Sequence, residues 1–166
     1  MQNIILIGHK SSGKTTIGLT LANNLEFDFV DTDTLILNTY CPGKTIAAFY
    51  QEIGEKRFRQ LENNIIQSLP KTHTVIATGG GTLTIASNAK YLKKLGQIIY
   101  LYLPISILTE RNQYREQQGI LATLLDPQVH YESRDKLYRQ YADFIIECKH
   151  KTVVEIINEM RKTLLK

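Results

Sequence analysis

The residues best suited to chemistry lie in one stretch near the start of the chain, Gly8-His9-Lys10-Ser11-Ser12-Gly13-Lys14-Thr15. This stretch matches the phosphate-binding pattern G-x-x-x-x-G-K-[ST] at every fixed position. Gly8 and Gly13 let the chain curl tightly, so that backbone N–H groups point inward at a phosphate. Lys14 adds a compact cation, and the Thr15 hydroxyl is a ligand for Mg²⁺. The stretch therefore predicts a site for a nucleoside triphosphate with Mg²⁺, and an ordinary structural loop is the weaker alternative.

The elements around this loop have the order that a phosphate site requires. The segment Asn3–Ile7 is apolar and rich in β-branched residues, which predicts a buried strand. After the loop, Ile17, Leu21 and Ala22 recur at helical spacing. A helix that begins here aims the partial positive charge of its N-terminus at the same phosphate.

Two carboxylates, Asp31 and Asp33, follow a short second strand signal that starts at Phe27. The carboxyl ends of parallel strands face the ligand crevice, and alternation along a strand points these two side chains roughly the same way. One carboxylate then supports Mg²⁺ through water, and the other accepts a hydroxyl proton. The competing interpretation is a helix N-cap, supplied by Thr32 or Asp33, ahead of the apolar run at 35–37.

Three consecutive glycines, Gly79, Gly80 and Gly81, follow a third strand signal at 73–78. Without Cβ atoms they permit close approach of the backbone to a ligand or to the phosphate loop. A flexible turn is the alternative, although a simple turn rarely needs three glycines. The local sequence leaves both interpretations open.

The remaining periodicity predicts strands at 97–103 and 143–147, with helices alternating along the chain. Such alternation indicates an α/β domain with three layers and a mainly parallel sheet. We expect one domain over 1–166. Periodicity is weak at 115–127, which suits a mobile lid over a site, an ordinary surface loop being the default alternative.

The composition narrows the class of protein. The 166 residues carry a formal net charge of +4, with the apolar and charged fractions of an ordinary globular protein. No apolar run is long enough for a transmembrane helix, and no signal peptide precedes the first strand. Cys41 and Cys148 form no metal-binding or disulfide pattern, which favours reduced thiols in the cytoplasm. The sequence contains no base-stacking or groove-reading motif, so we expect no nucleic-acid binding. We also expect a monomer.

Taken together, these residues resemble the motif set of the shikimate kinase family. In that family's order and approximate spacing, the chain carries the phosphate loop, Asp31-Thr32-Asp33, Phe58-Arg59, Thr78-Gly79-Gly80-Gly81 and Arg134. The resemblance runs nearly end to end, and Glu62 and Leu137-Tyr138 match the usual continuations. It implies a phosphate-loop kinase fold with a five-stranded parallel sheet flanked by helices. It also implies that ATP donates its γ-phosphoryl group to the 3-hydroxyl of shikimate, a step toward chorismate and the aromatic amino acids.

The resemblance gives each matching residue on the substrate side an expected role. Lys14 and Asp33 are the expected catalytic residues, and Asp33 also binds the substrate hydroxyls. Arg59 and Arg134 are expected to clamp the shikimate carboxylate, a contact that suits planar guanidinium groups. The backbone segment expected beside the substrate comprises Gly79, Gly80 and Gly81, with the N–H of Gly80 facing it.

On the nucleotide side, the resemblance places Mg²⁺ at Thr15 and, through water, at Asp31. It also assigns a role in ATP binding to two arginines at the base of the lid, in addition to the residues of the phosphate loop. The residues expected to bind ATP are Gly8, Ser11, Ser12, Gly13, Lys14, Thr15, Thr16, Arg111 and Arg115.

The chain departs from the family pattern at two places that bear on activity. Ser11 stands where the family's loop usually has glycine, and its Cβ either is harmless or changes the approach to the phosphates. The lid, which normally reads Arg-Pro-Leu-Leu, here reads Ala122-Thr123-Leu124-Leu125 and lacks the arginine that reaches both ligands. Arg111 or Arg115, at the base of the lid, is the candidate substitute. Otherwise catalysis is weak or the substrate differs.

Two alternatives to a shikimate kinase follow from these departures. The first is a related kinase for another small hydroxy acid, such as gluconate. The combination of Arg59, Arg134 and Asp33 favours shikimate, because it suits a carboxylate that bears neighbouring hydroxyls. The second alternative is a catalytically weak ATP-binding module, which the altered lid suggests.

Overall fold

In the part of the chain that the structure describes, residues 2–117 and 127–164 of a computed structural model, five strands form one sheet. The strands are β1 (Asn3–Ile7), β2 (Asp28–Asp31), β3 (Thr74–Ala77), β4 (Gly96–Tyr102) and β5 (Phe144–Glu147). Their order across the sheet is β2-β3-β1-β4-β5, and every neighbouring pair is parallel. The predicted five-stranded parallel sheet is therefore confirmed.

Helices connect the strands and cover both faces of the sheet, as the alternation along the chain predicts. Those described are α1 (Lys14–Leu25), α2 (Thr32–Tyr40), α3 (Ile46–Gln67), a short 3₁₀-helix (Thr82–Thr84), α4 (Ala86–Leu95), α5 (Ile105–Gln117), α6 (Pro127–Tyr141) and α7 (Val153–Leu164). The helix α3 is kinked at Gly54, which has a φ of 76° and a ψ of 162°.

Side-chain alternation along the buried strands divides the core into two layers. Ile4 and Leu6 of β1 pack in one layer with side chains of α1, α5 and α7. Ile5 and Ile7 pack in the other layer with side chains of α3, α4 and α6. Each central strand is therefore buried on both faces, which explains its nearly continuous apolar sequence.

The chemistry-bearing motifs follow three strands that are neighbours in the sheet. The phosphate loop follows β1, the glycine segment follows β3, and Asp31 ends β2. Because parallel strands present their carboxyl ends at one edge, the order β2-β3-β1 brings the three motifs together.

The lid expected at 115–127 is only partly within the described residues. Residues 115–117 belong to the last turn of α5, and α6 begins at Pro127. Residues 118–126, which include Ala122 and Thr123, lie outside the described residues. The lid therefore stays a prediction.

Two features are absent from residues 2–117 and 127–164. No helix there combines the length and the apolar composition that a membrane crossing requires. No group of three or more His, Cys, Asp or Glu side chains there is arranged to hold a metal ion. Cys41 and Cys148 are both buried free thiols.

Candidate active site

The phosphate loop joins the end of β1 to the start of α1, as predicted. Gly8 has a φ of 150° and Gly13 one of 92°, values that residues with a Cβ rarely adopt. A Cβ on Gly8 would also lie 2.9 Å from the carbonyl oxygen of Leu101 and 2.9 Å from Ser12 Oγ. The backbone N–H of Ser12 donates to the carbonyl oxygen of His9 at 3.2 Å, which closes the curl.

The Lys14 side chain is 9% exposed, and its ammonium group lies over the curl of the loop. Nζ donates to the carbonyl oxygens of Gly8 and His9, both at 2.8 Å. A cation beside the N-terminus of α1 gives the loop a positive potential that suits an anion. Of the neighbouring residues, Ser12 is buried, whereas Thr15 and Thr16 are exposed on the first turn of the helix.

Thr15 and Asp31 meet across the gap between the loop and β2. Thr15 Oγ1 donates to Asp31 Oδ2 at 2.7 Å. Asp31 Oδ1 accepts from the backbone N–H groups of Asp33 at 3.0 Å and Thr34 at 3.1 Å, so Asp31 is the N-cap of α2. The alternative in which Thr32 or Asp33 supplies the cap is wrong. A cap and a site for chemistry are not exclusive here, because each uses a different oxygen of Asp31.

Asp33 lies in the first turn of α2 and not on the strand, so strand alternation is the wrong reason for its orientation. Thr32 Oγ1 accepts from the backbone N–H of Gly79 at 3.0 Å, which holds this turn against the glycine segment. Burial, reinforced by the negative charge of Asp31 and opposed by Lys14, raises the pKa of Asp33 to about 6. A carboxylate with that pKa is a stronger base than an ordinary aspartate and is still ionised at neutral pH.

Each of the three glycines lies against a charged side chain, and Gly79 lies near a second one, Glu62. A Cβ on Gly79 would lie 2.6 Å from Asp33 Oδ1, and one on Gly81 would lie 2.2 Å from Arg59 Nη2. A Cβ on Gly80 would lie 3.3 Å from an Nη atom of Arg134 and 3.4 Å from the backbone nitrogen of Lys10. The segment is thus a surface on which three side chains converge beside the phosphate loop. Close approach to the phosphate loop is therefore confirmed at Gly80, whereas close approach to a ligand stays a prediction.

Arg59 is held in place by Glu62. Glu62 matches the family motif, but no role for it could be assigned from the sequence. Arg59 Nη1 donates to Glu62 Oε2 at 2.7 Å, and Glu62, only 1% exposed, also accepts from Thr82 Oγ1 at 2.8 Å. The guanidinium carbon lies 5.4 Å from the ring centroid of Phe58, within cation–π range. Arg59 Nε is buried, lies 4.0 Å from Glu55 Oε1, and makes no hydrogen bond within the described residues. The guanidinium is therefore fixed in place against the glycine segment.

Arg134 approaches the same surface from α6. Burial lowers the pKa of its guanidinium, and the positive charge of Arg59 lowers it further. Two partly buried guanidinium groups that repel each other form a site that an anion would stabilise. Tyr138 on the same helix donates a hydrogen bond to the carbonyl oxygen of Gly80, which holds α6 to the glycine segment.

His9 is a residue of the site that the sequence reasoning missed. Its ring stacks on Tyr131 at a centroid distance of 4.4 Å and meets the edge of Tyr138 at 4.9 Å. Burial, together with the charges of Lys14 and Arg134, lowers the pKa of His9 to about 3, so it is neutral at physiological pH. His9 therefore packs the phosphate loop onto the helix that carries Arg134. Tyr131 and Tyr138 are seven residues apart and therefore lie on one face of the helix. This spacing was the sequence feature that could have indicated an aromatic partner for His9.

Of the two arginines expected near the nucleotide, Arg111 lies on the phosphate loop. Its Nη1 donates to the carbonyl oxygen of Ser11 at 3.1 Å. Arg115 falls in α5, but its side chain lies outside the described residues, so its position at the site stays a prediction.

The fold and the site together define a phosphate-loop protein with two arginines and a buried carboxylate beside the loop. The family model for shikimate kinase matches residues 10–165 of the chain. The shikimate kinase of Enterococcus faecalis is 34% identical over 168 residues, which cover 99% of each chain. A shikimate kinase from Acinetobacter baumannii, solved in complex with shikimate, superposes with a TM-score of 0.87 at 32% identity, over 99% of this chain and 93% of that one. The chain belongs to the shikimate kinase family.

This family consists of ATP-dependent kinases that phosphorylate an alcohol group. The resemblance drawn from the motifs is therefore confirmed. A gluconokinase from Sinorhizobium meliloti also superposes, with a TM-score of 0.66 over 99% of this chain and 91% of that one. Its identity to this chain is only 17%, so the likeness concerns the fold alone.

Proposed function

We propose that this chain transfers the γ-phosphoryl group of ATP to the 3-hydroxyl of shikimate. The observation that carries the proposal is the convergence of Asp33, Arg134 and Arg59 on three successive glycines beside the phosphate loop. That surface offers a base for a hydroxyl and two guanidinium groups for a carboxylate. The named relatives and the structure solved with shikimate support this choice of acid over gluconate.

On the acid side, Arg59 and Arg134 bind the shikimate carboxylate. Glu62 offsets only part of the positive charge that they concentrate, because it bonds one of the two guanidinium groups. A carboxylate would relieve their repulsion and accept charge-assisted hydrogen bonds from both. The backbone N–H of Gly80 is proposed to contact the acid between them.

At the reacting hydroxyl, Asp33 accepts the proton. The shikimate oxygen attacks the γ-phosphorus, the bond from that phosphorus to the β–γ bridging oxygen breaks, and ADP leaves. The proton of the hydroxyl passes to Asp33 as the new P–O bond forms. Because phosphoryl transfer depends mainly on positioning and charge neutralisation, the chain's contribution is to align the two ligands and stabilise developing charge.

On the nucleotide side, Lys14 and the backbone N–H groups of the loop bind the β- and γ-phosphates. Ser11, Ser12 and Thr16 line the same loop, and Arg111 is proposed to supply the cation that the altered lid lacks. The Thr15 hydroxyl and the Asp31 carboxylate, whose oxygens lie 2.7 Å apart, form a hard oxygen-donor set that fits Mg²⁺. Thr15 would hold the ion directly and Asp31 through water. When bound, Mg²⁺ neutralises phosphate charge.

We also propose that the chain acts as a monomeric, single-domain enzyme of the cytoplasm. The support for the compartment is that Cys41 and Cys148 are buried free thiols, which suits a reducing environment. Light scattering after size exclusion, which yields the mass of the particle in solution, tests the oligomeric state.

The test of the proposed function is ADP release measured with shikimate, with gluconate and with no acceptor. We expect turnover that depends on shikimate, and only background release in the other two reactions. Lys14→Met protein, prepared identically, is the matched control, because it lacks the ammonium group that lies on the loop and exposes any contaminating host kinase.

Three outcomes contradict the proposal. Turnover that requires gluconate would assign a different acid. ATP binding without acceptor-dependent turnover would support the weak ATP-binding module. Equal activity in the Lys14→Met preparation would attribute the signal to a contaminant.

A further inference from the structure

Ser11 holds a backbone conformation that its residue type disfavours. Its φ is 68°, in the left-handed region, where a Cβ crowds the backbone and glycine is the usual residue. Ser11 also lies in the middle of the phosphate loop. A strained residue of this kind persists only when the surrounding structure holds it in place.

Two neighbouring side chains of α5 hold Ser11. Ser11 Oγ donates to Asn112 Oδ1 at 2.7 Å, and Arg111 Nη1 donates to the Ser11 carbonyl oxygen at 3.1 Å. Ser11 and Asn112 are both half-buried, so water competes less for their hydrogen bond. The hydroxyl that distinguishes serine from glycine is therefore the group through which Asn112 acts.

The conformation of Ser11 matters because it sets the direction of the N–H groups that follow. Left-handed residues within a curled loop turn successive N–H groups toward a common point, which forms an anion-binding nest. Gly13, with a φ of 92°, is left-handed as well. If Ser11 relaxed to a right-handed conformation, the N–H groups of Ser12 and Gly13 would point elsewhere.

We propose that Asn112 is a positioning residue for the phosphate loop. Through Ser11 Oγ it keeps Ser11 left-handed and so holds the loop in the shape that binds nucleotide. This inference rests on the proposed nucleotide site, but the contact itself needs no nucleotide and is testable without one.

The test introduces Asn112→Ala into the natural chain and into a Ser11→Gly background. Two quantities are measured: the Kd for ADP by calorimetry, and hydrogen exchange of the loop amides without nucleotide. In the natural chain we expect the Kd to rise about tenfold and the amides to exchange faster, as loss of one partly buried hydrogen bond implies. In the Ser11→Gly background we expect Asn112→Ala to change the Kd and the amide exchange rates by less than about twofold. Glycine adopts the left-handed conformation without a supporting hydrogen bond.

Two further variants sharpen the test. Ser11→Ala keeps the Cβ and loses the hydroxyl, so it should weaken ADP binding as Asn112→Ala does, and the two changes together should add nothing more. Gln113→Ala, an exposed neighbour on α5, is the matched control and should leave both readouts unchanged.

Equal effects of Asn112→Ala in the two backgrounds, or no effect in the natural chain, would overturn the proposal. If ADP does not bind at all, the exchange measurement alone decides. Failure of the proposed function is distinguishable, since it appears as absent shikimate-dependent turnover while the exchange difference between the two backgrounds persists.

Discussion

Asp33→Asn is expected to lower kcat about a thousandfold while leaving the Kd for ATP within about twofold of its natural value. Asparagine matches the shape of the side chain but cannot take the proton of the attacking hydroxyl. The backbone N–H of Asp33 still donates to Asp31 Oδ1, so the cap of α2 survives the change. Steady-state kinetics with shikimate and calorimetry with an ATP analogue measure the two quantities.

The matched control for this variant is Asp28→Asn, the same chemical change at an exposed position at the start of β2, which should keep full activity. Near-normal turnover of Asp33→Asn would remove Asp33 from the mechanism. The natural chain should also lose kcat/KM for shikimate below pH about 6, as Asp33 gains its proton.

Stability distinguishes loss of chemistry from loss of fold. The pKa of Asp33 is raised to about 6 on folding, so the folded state binds more protons than the unfolded state between the ordinary aspartate pKa and pH 6. Stability therefore falls as the pH rises through that range, and at pH 7 the ionised carboxylate destabilises the fold. Asp33→Asn removes this charge and is expected to melt at or above the natural Tm.

Arg59→Ala is expected to raise the KM for shikimate about a hundredfold, with the KM for ATP changed less than about threefold. The change removes one of the two guanidinium groups proposed to bind the carboxylate, and it leaves the phosphate loop intact. It also leaves Glu62 buried without its cation, so the Tm should fall. Kinetics are therefore to be measured well below the variant's own Tm.

Two variants isolate the binding role of Arg59 from its structural role. Arg59→Lys keeps a cation beside Glu62 but loses the planar fork, so we expect a smaller fall in Tm and still a clear rise in the KM for shikimate. Arg57→Ala removes an exposed arginine of the same helix and should change neither quantity. An unchanged shikimate KM in Arg59→Ala would refute the carboxylate clamp.

Much of the fold could be predicted because each buried strand of a parallel sheet carries an apolar run bounded by turn residues. The phosphate loop could also be predicted from the sequence, because its glycines and its lysine occupy fixed positions in a short local motif. The kink at Gly54 also has a local signal, because glycine adopts a positive φ more readily than other residues.

What could not be predicted depends on contacts between distant segments. The helix α2 begins directly after β2, at Thr32, so Asp33 lies on a helix and not on a strand. The boundary depends on Asp31, whose side chain caps the helix. The packing of charged side chains against the three glycines depends on the order of strands in the sheet, which the sequence does not state. The hydrogen bond from Ser11 to Asn112 joins residues that are 101 positions apart in the chain, so no local sequence pattern indicates it.

The measurement that most directly tests the central claim is a crystal structure of the chain with ADP and shikimate bound. We predict that the shikimate carboxylate lies within about 3 Å of both Arg59 and Arg134, and that its 3-hydroxyl lies at the same distance from Asp33. A carboxylate bound elsewhere, or a ring that turns its 3-hydroxyl away from Asp33, would contradict that claim.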